Sequence, residues 1–125
     1  MYFSSGDLTS NLINSICQDE SGFVWIATEY GLNKFNGSGF IQYLHNEKDS
    51  TSLLGNYVKS LYVDKNKTLL IGCNNGLQYY IPEEDIFKTI PSYGGASPHI
   101  NGMAEMANGE LWLVTSGMGI LYVDK

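Results

Sequence analysis

The stretch DESGFVWIATEYGLNKF, residues 19–35, sets an apolar run between two turn signals. Asp19 and Gly22 suit a hairpin turn, in which the carboxylate accepts from nearby backbone N–H groups and glycine takes positive φ. Trp25 lies inside the run FVWIAT, and Thr28 leads into a second turn built on Gly31. The whole reads as turn, strand, turn, strand.

The pattern recurs. INSICQDESGFVWIATEYGLNKF (13–35) aligns with VKSLYVDKNKTLLIGCNNGLQYY (58–80) at a constant offset of 45, placing Asp64 under Asp19, Leu70 under Trp25 and Gly76 under Gly31. A third copy, INGMAEMANGELWLVTSGMGILYV (100–123), places Gly109 under Gly22, Trp112 under Trp25 and Thr115 under Thr28; one inserted residue then brings Gly119 under Gly31. Copies one and two continue into a fourth apolar run, FIQYL and IFKTI. Four short strands joined by hairpins, repeated at this spacing, describe propeller blades.

The expected fold is therefore all-β: four-stranded antiparallel blades of a β-propeller, a fragment of about three. Residues 1–7 are expected to be an N-terminal strand completing another blade, 8–48 blade 1, 49–92 blade 2, and 93–125 a third blade without its own fourth strand. Asp19, Gly22, Thr28, Asp64, Gly109 and Thr115 then serve as turn residues. Gly31, Gly76 and Gly119 supply positive φ. Trp25, Leu70 and Trp112 fill the space between neighbouring blades.

Composition narrows the function. The chain has 125 residues, a formal net charge of −6, and lysine as its only basic residue type besides two histidines. Arginine is the usual fork for phosphate and guanine recognition, so nucleic acid and anionic membrane are poor partners. Cys17 and Cys73 form no Cys-x-x-Cys motif or Cys/His cluster, which favours two free thiols over a disulfide. No run approaches the roughly 20 apolar residues of a membrane span, and no signal-peptide pattern is visible. Met1 runs at once into strand-like Tyr2-Phe3, as expected of a piece excised from a longer protein.

Motifs for chemistry are missing. There is no G-x-S-x-G, H-E-x-x-H or P-loop pattern. SYGGASPH (92–99) reads as a blade-connecting loop, and His45 and His99 read as solvated residues in polar connections rather than metal ligands. No catalytic residue, metal site or cofactor is expected. The Asp19 turn resembles the Asp-box of sialidase-type propellers with one extra residue, but the arginines of such a site are absent. Glu29, Glu105 and Glu110 show no pairing that a glycosidase would need.

LTSNLINSICQDESGFVWIATEYGLNKFNG (8–37) and the following FIQYLHNEKDSTSLLGNYVKSLYVD (40–64) resemble the two-component regulator propeller. The family pattern is met at Leu8, Ser10, Asn11, Ile16, Asp19, Gly22, Trp25, Thr28, Gly31, Leu32 and Phe35. Copy two departs from it at Lys67 and Leu70, and copy three at Met106. The resemblance implies the N-terminal part of the periplasmic sensor domain of a hybrid two-component system of gut Bacteroidetes. It implies detection of poly- or oligosaccharide breakdown products and control of a distant histidine kinase. A propeller scaffold for protein partners is the alternative.

Propellers bind ligands where loops of several blades converge. The turns between second and third strands carry Glu29 and Tyr30, Asn74 and Asn75, and Ser116, Gly117 and Met118. A ring, two amides and a carboxylate suit a neutral or basic saccharide. Three blades cannot close a ring, so the exposed blade edges and exchange of the N-terminal strand point to a homo-oligomer.

Overall fold

The computed structural model describes residues 8–91 and 98–123. Blade 1 is the sheet of β1 (Ile13–Gln18), β2 (Val24–Thr28), β3 (Gly31–Phe35) and β4 (Phe40–Tyr43) in that order. Blade 2 is β5 (Val58–Val63), β6 (Leu69–Cys73), β7 (Gly76–Ile81) and β8 (Ile86–Ile90). The third sheet holds β9 (His99–Glu105), β10 (Leu111–Ser116) and β11 (Ile120–Val123). All pairings are antiparallel. The all-β propeller architecture follows from the repeat. The expected N-terminal strand, residues 1–7, and most of SYGGASPH lie outside the described residues. His99 opens β9 and does not sit in a connection.

The strand register follows the sequence repeat. Trp25 pairs with Cys17 and Lys34, Leu70 with Tyr62 and Tyr79, and Trp112 with Ala104 and Tyr122. Each inner strand also carries a bulge at one equivalent residue: Asn14, Lys59 and Asn101. The turn glycines Gly22, Gly31, Gly76, Gly109 and Gly119 all have positive φ, and Lys67, standing where the first copy has Gly22, adopts φ 68°.

Packing explains why the second strands are apolar on both faces. Blade 2 has a neighbour on each side, and every residue of β6, LLIGC, is buried. Leu69, Ile71 and Cys73 face blade 1, where they join Trp25, Ala27 and Leu32 in one core. Leu70 and Leu77 face the third sheet and pack with Ile100, Leu111 and Leu113. Gly72 lets β9 approach, since a Cβ there would meet Ile100 Cγ2 at 2.7 Å. Trp25 and Leu70 thus fill seams as expected. Trp112 does not: it is 38% exposed, against 0% for Trp25, because no further blade among the described residues covers that face. Ile120, at 62%, is open on the same sheet, and Ile16, at 65%, on blade 1.

The seam between blades 1 and 2 is aromatic. Trp25 stacks on Tyr43 at 5.5 Å and meets the edge of Tyr80 at 4.8 Å. Its indole N–H donates to Asp19 Oδ2 at 2.8 Å, while Asp19 Oδ1 accepts from the Phe23 N–H. The turn carboxylate therefore fixes the tryptophan as well as the hairpin. The hydroxyls of Tyr43 and Tyr80 both donate to Asp85 Oδ1. Burial, reinforced by the bond to Asp85, pushes the Tyr80 phenol up to about 12 and raises Tyr43 as well.

Two predictions follow from these contacts. Trp25→Ala should cost about 3–5 kcal/mol in urea unfolding, by transfer and cavity terms, whereas Trp112→Ala should stay within about 1 kcal/mol. Equal costs would show that the open face is covered in solution. Because folding raises the Tyr80 phenol above its ordinary 10.0, its contribution is complete below pH 10 and is lost as pH rises through about 12. Urea midpoints taken on either side of pH 10 should fall more steeply in the wild type than in Tyr80→Phe.

Candidate functional site

The β2–β3 turn and its counterparts are shaped by the residue that ends the second strand. Thr28 Oγ1 accepts from the Tyr30 N–H at 3.0 Å and donates to the Gly31 carbonyl at 3.0 Å. Thr115 repeats this with the Met118 N–H at 3.2 Å and the Gly119 carbonyl at 2.6 Å. Blade 2 has Cys73 in that place, whose thiol reaches the Gly55 carbonyl at 3.7 Å. Cys73 is buried, which pushes its thiol up to about 12; Cys17, in β1, is pushed to about 11 by burial and by Asp19. Both thiols are free.

The connection from β4 to β5 runs over the turns of blades 1 and 2. Two buried amides hold the chain entering blades 1 and 2. Asn33 accepts from the Thr9 N–H at 3.2 Å and donates to Thr9 Oγ1 at 2.9 Å. Gln78, its repeat equivalent, accepts from the Leu54 N–H at 2.8 Å and donates to the Ser52 carbonyl at 3.3 Å. Gly31 must be glycine here, because a Cβ would meet the Tyr43 carbonyl at 2.8 Å.

The candidate binding residues divide into three groups. Tyr30, at 54%, and Met118 expose their side chains. Asn75 turns inward, donating to the Leu54 carbonyl at 3.2 Å, with its buried Oδ1 unpartnered among the described residues. Asn74, partly buried, has its backbone N–H on the Tyr57 carbonyl at 3.0 Å. Glu29 and Ser116 belong to a polar chain crossing all three sheets. Glu29 Oε1 accepts from the Tyr57 hydroxyl at 2.8 Å, a bond that raises the Tyr57 phenol. Lys59 Nζ lies 5.1 Å from the centre of the Tyr57 ring and donates to Asn101 Oδ1 at 3.1 Å. The Asn101 amide donates to Ser116 Oγ at 2.5 Å.

Tyr57, Lys59 and Asn101 escaped the motif reading. The available signal was Lys59 and Asn101 at one register of successive inner strands. At Asn14 the same bulge instead donates to the Val58 backbone carbonyl at 2.8 Å and fastens blade 1 to blade 2.

A cavity of about 460 Å³ opens at the opposite ends of blades 1 and 2, lined by Asp19, Phe23, Lys34, Lys67, Tyr80 and Glu83 among others. Several of its polar groups serve the seam. Lys34 Nζ sits 5.0 Å from the Phe23 ring centre and 5.3 Å from that of Trp25, and donates to the Tyr80 hydroxyl at 3.3 Å. Among the described residues no group of three or more His, Cys, Asp or Glu side chains could hold a metal ion.

Comparison with known proteins agrees with this architecture. The family model for the two component regulator propeller matches residues 7–30 and 52–75. The extracellular domain assigned to a hybrid two-component system of B. thetaiotaomicron superposes over 99% of this chain with a TM-score of 0.88 and 28% identity. A second such domain from that organism superposes over 99% with a TM-score of 0.79 and 23% identity. Histidine kinase P4 of Formosa agariphila is 44% identical over 46 residues, 37% of this chain. The chain spans 18% of each solved domain and 3% of the kinase. Two of the three repeats thus match the two component regulator propeller, and the chain shares the fold of the extracellular two-component domains it superposes on.

Proposed function

We propose that this chain is part of an extracytoplasmic, periplasmic sensor propeller that detects oligosaccharide or polysaccharide breakdown products and signals to a kinase elsewhere in its parent protein. The observation that carries this reading is the superposition on an extracellular two-component domain over 99% of the chain. In this reading the segment is non-catalytic and needs no cofactor. The exposed Tyr30 ring and the Glu29 and Ser116 side chains supply the ligand-facing groups, with Met118 at the rim. Asn75 supports the turn, since its amide is directed into the connection.

The same reading accounts for the open apolar faces. Two copies of the chain would bury the Trp112 face of one against the Ile16 face of the other, and strand exchange by residues 1–7 would complete the third blade at β11. Light scattering on a sizing column is expected to give a closed dimer that bears saccharide in a ligand screen. Deleting residues 1–6 should abolish it. An assembly that survives the deletion excludes strand exchange. An assembly that captures a protein partner but no sugar supports the scaffold function over sensing.

A further inference from the structure

The repeated bulge in the inner strands has two uses in this molecule. At Asn14 the extra residue reaches the next blade's backbone, which is a fastening role. At Lys59 and Asn101 it reaches side chains, and through the contact of Lys59 with the Tyr57 ring these extend the polar chain from Glu29 to Ser116. Three separate turns that the repeat places one per blade are thus joined at two of their members by groups the turns themselves do not contain.

These groups keep hydrogen-bonding capacity. An ammonium has three N–H donors, and Lys59 uses one on Asn101. The Ser116 hydroxyl accepts from Asn101 and retains its proton to donate. Glu29 uses Oε1 on Tyr57 and presents a second oxygen. Asn101 and Ser116 are exposed, while Lys59 is partly buried against the Tyr57 ring. The strip therefore offers a spare acceptor at Glu29 and spare donors at Lys59 and Ser116, with Lys59, Asn101 and Ser116 held on strands rather than on a free loop.

Resting on the sensing function proposed above, we infer that the strip Glu29–Tyr57–Lys59–Asn101–Ser116 is a contact surface for a neutral oligosaccharide, with Lys59 and Asn101 as specificity-determining residues. An acceptor at one end and donors along the rest match sugar hydroxyls, each of which both donates and accepts. Two features select against uronates. The carboxylate of Glu29 stands at one end, and the only ammonium of the strip is already shared with an amide and a ring. The net charge of −6 acts in the same direction.

Titration calorimetry and amide NMR on the 125-residue chain test this, with laminaritetraose, xylotetraose, mannotetraose and tetragalacturonate as probes. A neutral tetrasaccharide should bind and shift the Asn101 side-chain amide, and tetragalacturonate should not. Lys59→Met should weaken binding about tenfold or more, and Lys88→Met, on the outer strand β8, should leave it unchanged. If Lys59→Met unfolds, Lys59→Gln and the Asn101 amide shift decide. Neutral-sugar binding with Asn101 unshifted and Lys59 variants unaffected overturns the inference and leaves sensing intact. Preference for the uronate also overturns it. Binding of none of the four probes overturns saccharide sensing by this chain and the strip with it.

Discussion

The contact on which this structure depends is the one between facing sheets, made at its firmest by Trp25. A small antiparallel sheet with apolar residues on both faces cannot leave either face in water without losing most of its driving force. Blade 2 meets that condition, and all of β6 is buried. The outer sheets meet it on one face only. β10 accordingly shows strict alternation of buried and exposed residues over Leu111–Val114, although its sequence there is apolar throughout.

The aspartate of the first turn connects this packing to local structure. Asp19 closes the hairpin through the Phe23 N–H and holds the Trp25 indole with its other oxygen. In blade 2, where leucine replaces the tryptophan, Asp64 Oδ1 accepts from the N–H groups of Asn66 and Thr68. The turn thus survives loss of the ring, and the hairpin and the seam are separable. In the third copy the aspartate is gone. Trp112 there turns weakly to Glu110 at 3.5 Å on a face that no described blade covers.

Rigid strands with variable ends suit a binding role. The repeat holds the first and third turns through Thr28 and Thr115, and the chain entering blades 1 and 2 through the buried amides Asn33 and Gln78. The residues that project from those ends are not held by the same pattern, so they can differ between blades without loss of the fold. Lys59 and Asn101 are one case: a single bulge position, occupied by asparagine, lysine and asparagine in turn, serves as fastening in blade 1 and as part of a polar strip further on.

The sequence by itself determined the blade order, the strand register and the turns that need positive φ, because those depend on residues close in the chain and repeated at a fixed spacing. Asp19, Gly22, Trp25 and Gly31 could be read that way. It also marked which turns cluster once per blade. Only the tertiary structure decided which of their side chains are available. Asn75 was legible as an amide at a turn tip, but its direction depends on the connection that passes beside it. The polar chain through Tyr57, Lys59 and Asn101 joins residues of blade 2 to the third sheet. Trp112 shares its motif with Trp25 and differs in burial, because burial depends on the neighbouring sheet and not on the strand that carries the residue.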